Sequence, residues 1–243
     1  MINKRSLWHS IKFNFKFTKE EFFAMFVSAI VIGFITSFRS WGIEEFNAGV
    51  GLFNFINNTI IAGLAILVSQ SAVRVVALNS GIRSEYKIFK IGIIISLFLC
   101  FVSYGRLWFL IPGGIAIHHM KGHRLGYFTY WTMHDERAWA AFMGPFANVV
   151  LAILFKIAIT LGAKSPLLYT AMIINLWFAF FQMLPIPPLN GISIFFYSRL
   201  IYAVEVGFIL GLALLLPILN IWIALVGCFM LMLLFWNFAM NNS

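Results

Sequence analysis

Long apolar runs separated by short polar breaks dominate the chain. Runs at 22–38, 54–78, 139–161, 167–184, 203–219 and 221–240 each approach the roughly 20 residues that a helix needs to cross the hydrocarbon core of a bilayer. They predict an all-α membrane protein with about six crossings, a single domain over 1–243 whose core is 11–200 and whose C-terminal helical hairpin is 203–240. Two stretches depart from the helical pattern. Ile11, Phe13, Phe15 and Phe17 alternate with Lys12, Asn14, Lys16 and Thr18, the period-two pattern of an edge strand, and 83–89 also reads as extended. Together they predict a small β-sheet at the cytoplasmic face. Thr18 with Glu21 at the third position onward is a capping box that starts the first membrane helix; Asn79-Ser80-Gly81 ends the second. Residues 91–117 are apolar but interrupted by Ser103-Tyr104-Gly105-Arg106 and closed by Pro112-Gly113-Gly114. That is short for a span and predicts a re-entrant or interfacial hairpin.

Composition strengthens this picture. The chain is 62% hydrophobic and 10% charged, outside the globular range. Its formal charge of +9 raises nucleic acid as a partner, but the basic residues form no compact patch, and no nucleic-acid role is expected. They follow the positive-inside rule instead. Lys4, Arg5, Lys12, Lys16 and Lys19 precede the first span, later cytoplasmic connections hold most of the others, and Arg39 and Lys164 fall outside. A multi-pass protein with both termini cytoplasmic is expected, surrounded by membrane lipids. The first apolar run is too long for a cleaved signal and lacks a small-residue cleavage pattern. Cys100 and Cys228 have no His or Cys at ligand spacing and read as packing residues.

The most specific string is Leu184 to Gly191, LPIPPLNG, where three prolines in four positions forbid a continuing helix. The backbone must unwind there, which at membrane depth implies a protein-lined cavity. Upstream lies Gly144-Pro145-Phe146-Ala147-Asn148, whose small residues permit close helix approach and whose Asn adds an interhelical hydrogen-bonding group. These strings resemble the site-2 protease family of intramembrane zinc metalloproteases, especially its compact archaeal members. The family pattern is an HExxH helix, a GPxxN helix, then N-x5-FNLLPxPPLDG. Here the last two stand as GPFAN and, from Asn175, NLWFAFFQMLPIPPLNG.

Aligned on Ala77 and Gly81, the resemblance places Ser69 and Val73 at the metal histidines, Gln70 at the catalytic glutamate and Asn190 at the metal aspartate. Val73 has no lone pair, Ser69 and Asn190 are weak neutral donors, and an amide such as Gln70 cannot take a proton from metal-bound water. The resemblance therefore implies a degenerate member, a pseudoprotease with no catalytic residues and no cofactor. Its retained groove is expected to be formed by Gln70, Arg74, Asn148, Asn175, Pro187, Pro188 and Asn190. The groove is expected to bind or scaffold a transmembrane segment of a partner protein or larger membrane complex. Gln70 and Asn190 are expected to pair as amides across the emptied site, and Arg74 to snorkel to the headgroups.

Two alternatives remain at this stage. His118, His119, His123 and His134 could form a peripheral metal site, so that zinc would be a cofactor of an active protease with relocated ligands, although Gly122 interrupts the His119-x-x-x-His123 spacing. Broken helices also occur in small transporters or channels, for which Glu205 is the one acidic candidate inside an apolar run.

Overall fold

The computed structural model of the protein describes residues 11–42, 46–119, 134–163 and 165–241. It is mostly helical. In chain order it contains α1 (Lys19–Ser37), a short 3-10 turn (Phe38–Trp41), α2 (Ala48–Asn79), β1 (Ile82–Ile88), α3 (Lys90–Val102), β2 (Gly113–His119), α4 (His134–Thr160), α5 (Pro166–Gln182), α6 (Asn190–Tyr197), α7 (Arg199–Leu215) and α8 (Ile221–Asn241). Three segments, Lys19–Trp41, Ala48–Asn79 and His134–Thr160, are long and apolar enough to cross a membrane. The apolar helices Lys90–Val102, Pro166–Gln182 and Ile221–Asn237 are shorter. Lys4, Arg5, His123 and Lys164 lie outside the described residues, as does the side chain of His119.

Local chemistry explains the helix ends. The Thr18 hydroxyl accepts from Glu21 N, and the Glu21 carboxylate accepts from Thr18 N, so both members of the capping box satisfy an otherwise orphaned donor. Asn47 caps α2 through its side-chain oxygen. Gly81, at φ +73°, ends α2 in the left-handed region, where a Cβ would be penalised, and turns the chain directly into β1. Pro166 occupies the first turn of α5, where its missing N–H is harmless.

The expected strand at 11–18 does not form. Ile11–Asn14 make a single helical turn, closed by Phe15 N donating to Ile11 O at 3.0 Å, and 15–18 are irregular. The reason is a competing partner: the carbonyls of Phe15 and Lys16 accept from the Arg74 guanidinium, which a strand ladder would have used. The sheet is instead the two-stranded antiparallel pair β1–β2, registered from Ile82↔His119 to Ile88↔Gly113.

The segment between the strands forms a hairpin. Phe89 N donates to Pro112 O at 3.0 Å, so α3 departs from and returns to one point of the sheet. Gly105 marks the apex, where a Cβ would lie 3.1 Å from Arg39 Cγ and 2.9 Å from the Phe38 ring. The sheet meets the opposite end of α1, where Tyr86 N donates to Glu21 and the Tyr86 hydroxyl donates to Ser28. The hairpin therefore runs along most of α1, about 28 Å at helical rise.

Two cores flank the centre. One joins α1, α2, the return leg of the hairpin and α5 through Ile32, Ile66, Leu110, Ile111 and Phe178. The other joins α4, α5, α7 and α8 through Val149, Met172, Leu176, Leu212 and Cys228, and takes in Val73 from α2. Residues facing both cores lie at the junction of α2, α4, α5 and α6.

Candidate functional site

That junction gathers the residues singled out by sequence spacing. Ser69, Gln70 and Val73 occupy consecutive turns of α2 and are buried; Asn148 on α4, Asn175 on α5 and Asn190 at the first position of α6 are buried with them. The break after α5 is what delivers Asn190. The helix stops at Gln182, Ile186 N donates to Leu184 O, Leu189 N donates to Ile186 O, and α6 restarts facing α4. Pro187 is exposed and Pro188 half-buried on this break, and Pro188 O accepts from Ile115 N of β2 at 3.0 Å, tying the break to the sheet.

Gly144 is the centre of the arrangement. A Cβ on it would meet Asn190 Nδ2 at 2.7 Å, Ser69 Oγ at 2.9 Å and Val73 Cγ2 at 3.0 Å. Three of the four positions that the resemblance matches to the family's metal and catalytic residues thus converge on one point of α4, which only a glycine leaves open. Their polar atoms are engaged with protein: Asn190 Nδ2 donates to Ala141 O at 2.6 Å, and Ser69 Oγ donates to Gln182 Oε1 at 3.1 Å. The expected Gln70–Asn190 amide pair is absent among the described residues, because the Ala141 carbonyl on α4 takes the Asn190 donor instead.

Gln182 lies outside the set of residues expected to form the groove. It is buried, and it links α5 to α2 through Ser69. The signal lay in FQMLP, where the family pattern carries FNLLP: the longer amide reaches a side chain shorter than histidine. Several amide atoms here have no partner among the described residues, namely both of Asn148, Oδ1 of Asn175 and Nε2 of Gln182. Asn175 Nδ2 returns to Ala171 O of its own helix. Uncompensated buried amides are costly, so the junction is a concentration of unspent neutral donors and acceptors.

Arg74 belongs to a different structure from the one expected. It does not snorkel but is buried, ion-paired through Nη2 with Glu21 of α1. The same nitrogen donates to Ser84 O, Nη1 donates to the Phe15 and Lys16 carbonyls, and the guanidinium lies 4.1 Å from the Phe17 ring centroid. Glu21 in turn accepts from Tyr86 N. Burial pushes the Tyr86 phenol up from its ordinary value, keeping it a neutral donor to Ser28. Arg74 thus clamps α1, α2, β1 and the 15–17 segment together.

The histidine candidates do not assemble among the described residues. His118 Nε2 lies 3.9 Å from Glu85 Oε2 on the outer face of the sheet, His134 is exposed at the start of α4, and no group of three potential metal ligands occurs among the described residues. Glu205 sits within α7 beside Trp139, Phe142 and Tyr197, with Oε2 lacking a partner among the described residues.

A helical protein of membrane character, with a glycine-centred polar junction between four helices, is the class this fold and site define. No family model matches the chain, and no solved structure matches it. Over 194 residues, covering 78% of this chain and 91% of the other, it is 30% identical to the Methanocaldococcus jannaschii protein named "Putative zinc metalloprotease MJ0611". The chain belongs to the family of that metalloprotease.

Proposed function

We propose that the protein is a catalytically inactive, site-2-protease-like membrane protein that binds or scaffolds a transmembrane segment of a partner, crossing the bilayer about six times with both termini cytoplasmic. The observation that carries the reading is the donor set around Gly144. A catalytic zinc takes three protein ligands and an open position. Val73 offers no lone pair, and Ser69 and Asn190 offer only a neutral hydroxyl and a neutral amide oxygen, on side chains oriented by their bonds to Gln182 and Ala141. These residues do not fit a catalytic zinc, and Gln70 cannot act as the general base for a metal-bound water.

The guest reading rests on what remains. The unpartnered amide atoms of Asn148, Asn175 and Gln182 match a neutral group that both donates and accepts, as an unwound stretch of a guest helix does. Interhelical hydrogen bonds of this kind contribute about 0.6–2 kcal/mol each. Affinity purification from native membrane in mild detergent tests it. A membrane protein should accompany the wild type and be lost from Asn148→Leu; recovery of the chain alone, or equal recovery with both, would contradict the guest role.

A further inference from the structure

The apex of the hairpin carries a cation, Arg106, away from the glycine-centred junction. Arg106 is exposed beside a cavity of about 350 Å³ bounded by Leu107, Trp108, Ile173, Trp177 and Phe181. That volume is in the range of small-molecule sites. No carboxylate among the described residues lies within ion-pairing distance of Arg106. Gly105 packs so close to Phe38 and Arg39 that a Cβ would meet both, so the next residue, Arg106, follows at the C-terminal end of α1. Lys12, Lys16 and Lys19 precede the other end. Basic residues usually collect on one side of a membrane protein, and Arg39 and Arg106 stand at the end opposite the lysine-rich one, where a guanidinium matches the phosphate of a lipid headgroup; Glu44 and Glu45, which follow Arg39 in the chain, lie outside the described residues.

The walls specify the rest of the ligand. Trp177 and Phe181 pack 6.0 Å apart by ring centroids, giving the cleft an aromatic wall along α5. The backbone N–H of Trp108 has no acceptor among the described residues. A ligand suited to this cleft has an acceptor-rich anionic group for Arg106 and the Trp108 N–H, and a hydrocarbon tail for the rings. We propose that the cleft between the hairpin and α5 is a binding site for one anionic phospholipid. Its phosphate sits on Arg106 with Arg39 alongside, and one acyl chain lies along Trp108, Trp177 and Phe181. The site is separate from the glycine-centred junction and does not depend on the pseudoprotease reading.

The test uses the full chain in nanodiscs of equal parts phosphatidylglycerol and phosphatidylcholine, with native mass spectrometry reading the lipids retained on release. Wild type should retain phosphatidylglycerol in preference. Arg106→Gln should reduce that preference roughly tenfold, the scale of a lost charge-assisted hydrogen bond, with phosphatidylcholine retention unchanged. Trp177→Ala should lower retention of both lipids, and unchanged melting of each variant shows that the fold is kept. Equal retention of the two lipids by wild type would overturn the proposal, as would an unaltered preference in Arg106→Gln. A photocrosslinker at position 107 should label lipid; labelling of a co-purifying polypeptide instead would also overturn it.

Discussion

Arg74 binds three backbone carbonyls, one carboxylate and one aromatic face, from segments far apart in the chain. Removing one member of a buried ion pair leaves the other charge uncompensated, which costs about 3–5 kcal/mol. Glu21→Gln or Arg74→Gln should each lower stability by that order in reversible unfolding in detergent. An unchanged midpoint would mean that the pair is solvated. Gly144→Ala places a methyl against Asn190, Ser69 and Val73 and should cost about 1–3 kcal/mol by overpacking. Adding Val73→Ala should recover part of the loss, because one of the three obstructing atoms is then gone; no recovery would place the strain elsewhere. The spacing of Ser69, Gln70 and Val73 relative to LPIPPLNG was legible in the chain, because helix and break each fix which residues face inward. The partnership of Arg74 with Glu21 was not: the residues are 53 positions apart, and no periodicity encodes which helix ends meet.

Elements that depend on local chemistry were readable, and elements that depend on competition were not. The capping box at Thr18 is a matter of residues three apart, and both of its hydrogen bonds form. The alternation of Ile11 to Phe17 is equally local, yet the Arg74 guanidinium takes the carbonyls that a strand needs. The sheet that does form is tied to α1 through Tyr86, whose hydroxyl donates to Ser28. Its phenol is pushed up by burial from the ordinary 10.0, so the folded state holds the proton more tightly than the unfolded one. That contribution is fully present below about pH 10 and is lost as pH rises beyond it. Tyr86→Phe should therefore lose stability near neutrality, yet fall less steeply than wild type between neutrality and strong alkali. Parallel curves would show the hydroxyl to be exposed.

At the scale of the whole molecule, apolar runs set the helices, and the polar break at 103–106 marks where the segment between the strands turns back, while 113–117, expected as part of that hairpin, belong to β2. The hairpin's depth along α1 was not legible, because that depth follows from Gly105 packing on Phe38 rather than from hydropathy. Ser69 with Gln182 and Asn190 with Ala141 join α2 to α5 and α6 to α4 at one point, and the proposed loss of the zinc site rests on that junction. Zinc content is the most direct test of it. The wild type should be purified without chelator, equilibrated with zinc, desalted and assayed by inductively coupled plasma mass spectrometry beside Ser69→Ala and Asn190→Ala. Zinc far below stoichiometric, and the same in all three proteins, is the expected result. Stoichiometric zinc in the wild type that is lost from Asn190→Ala would contradict a metal-free core.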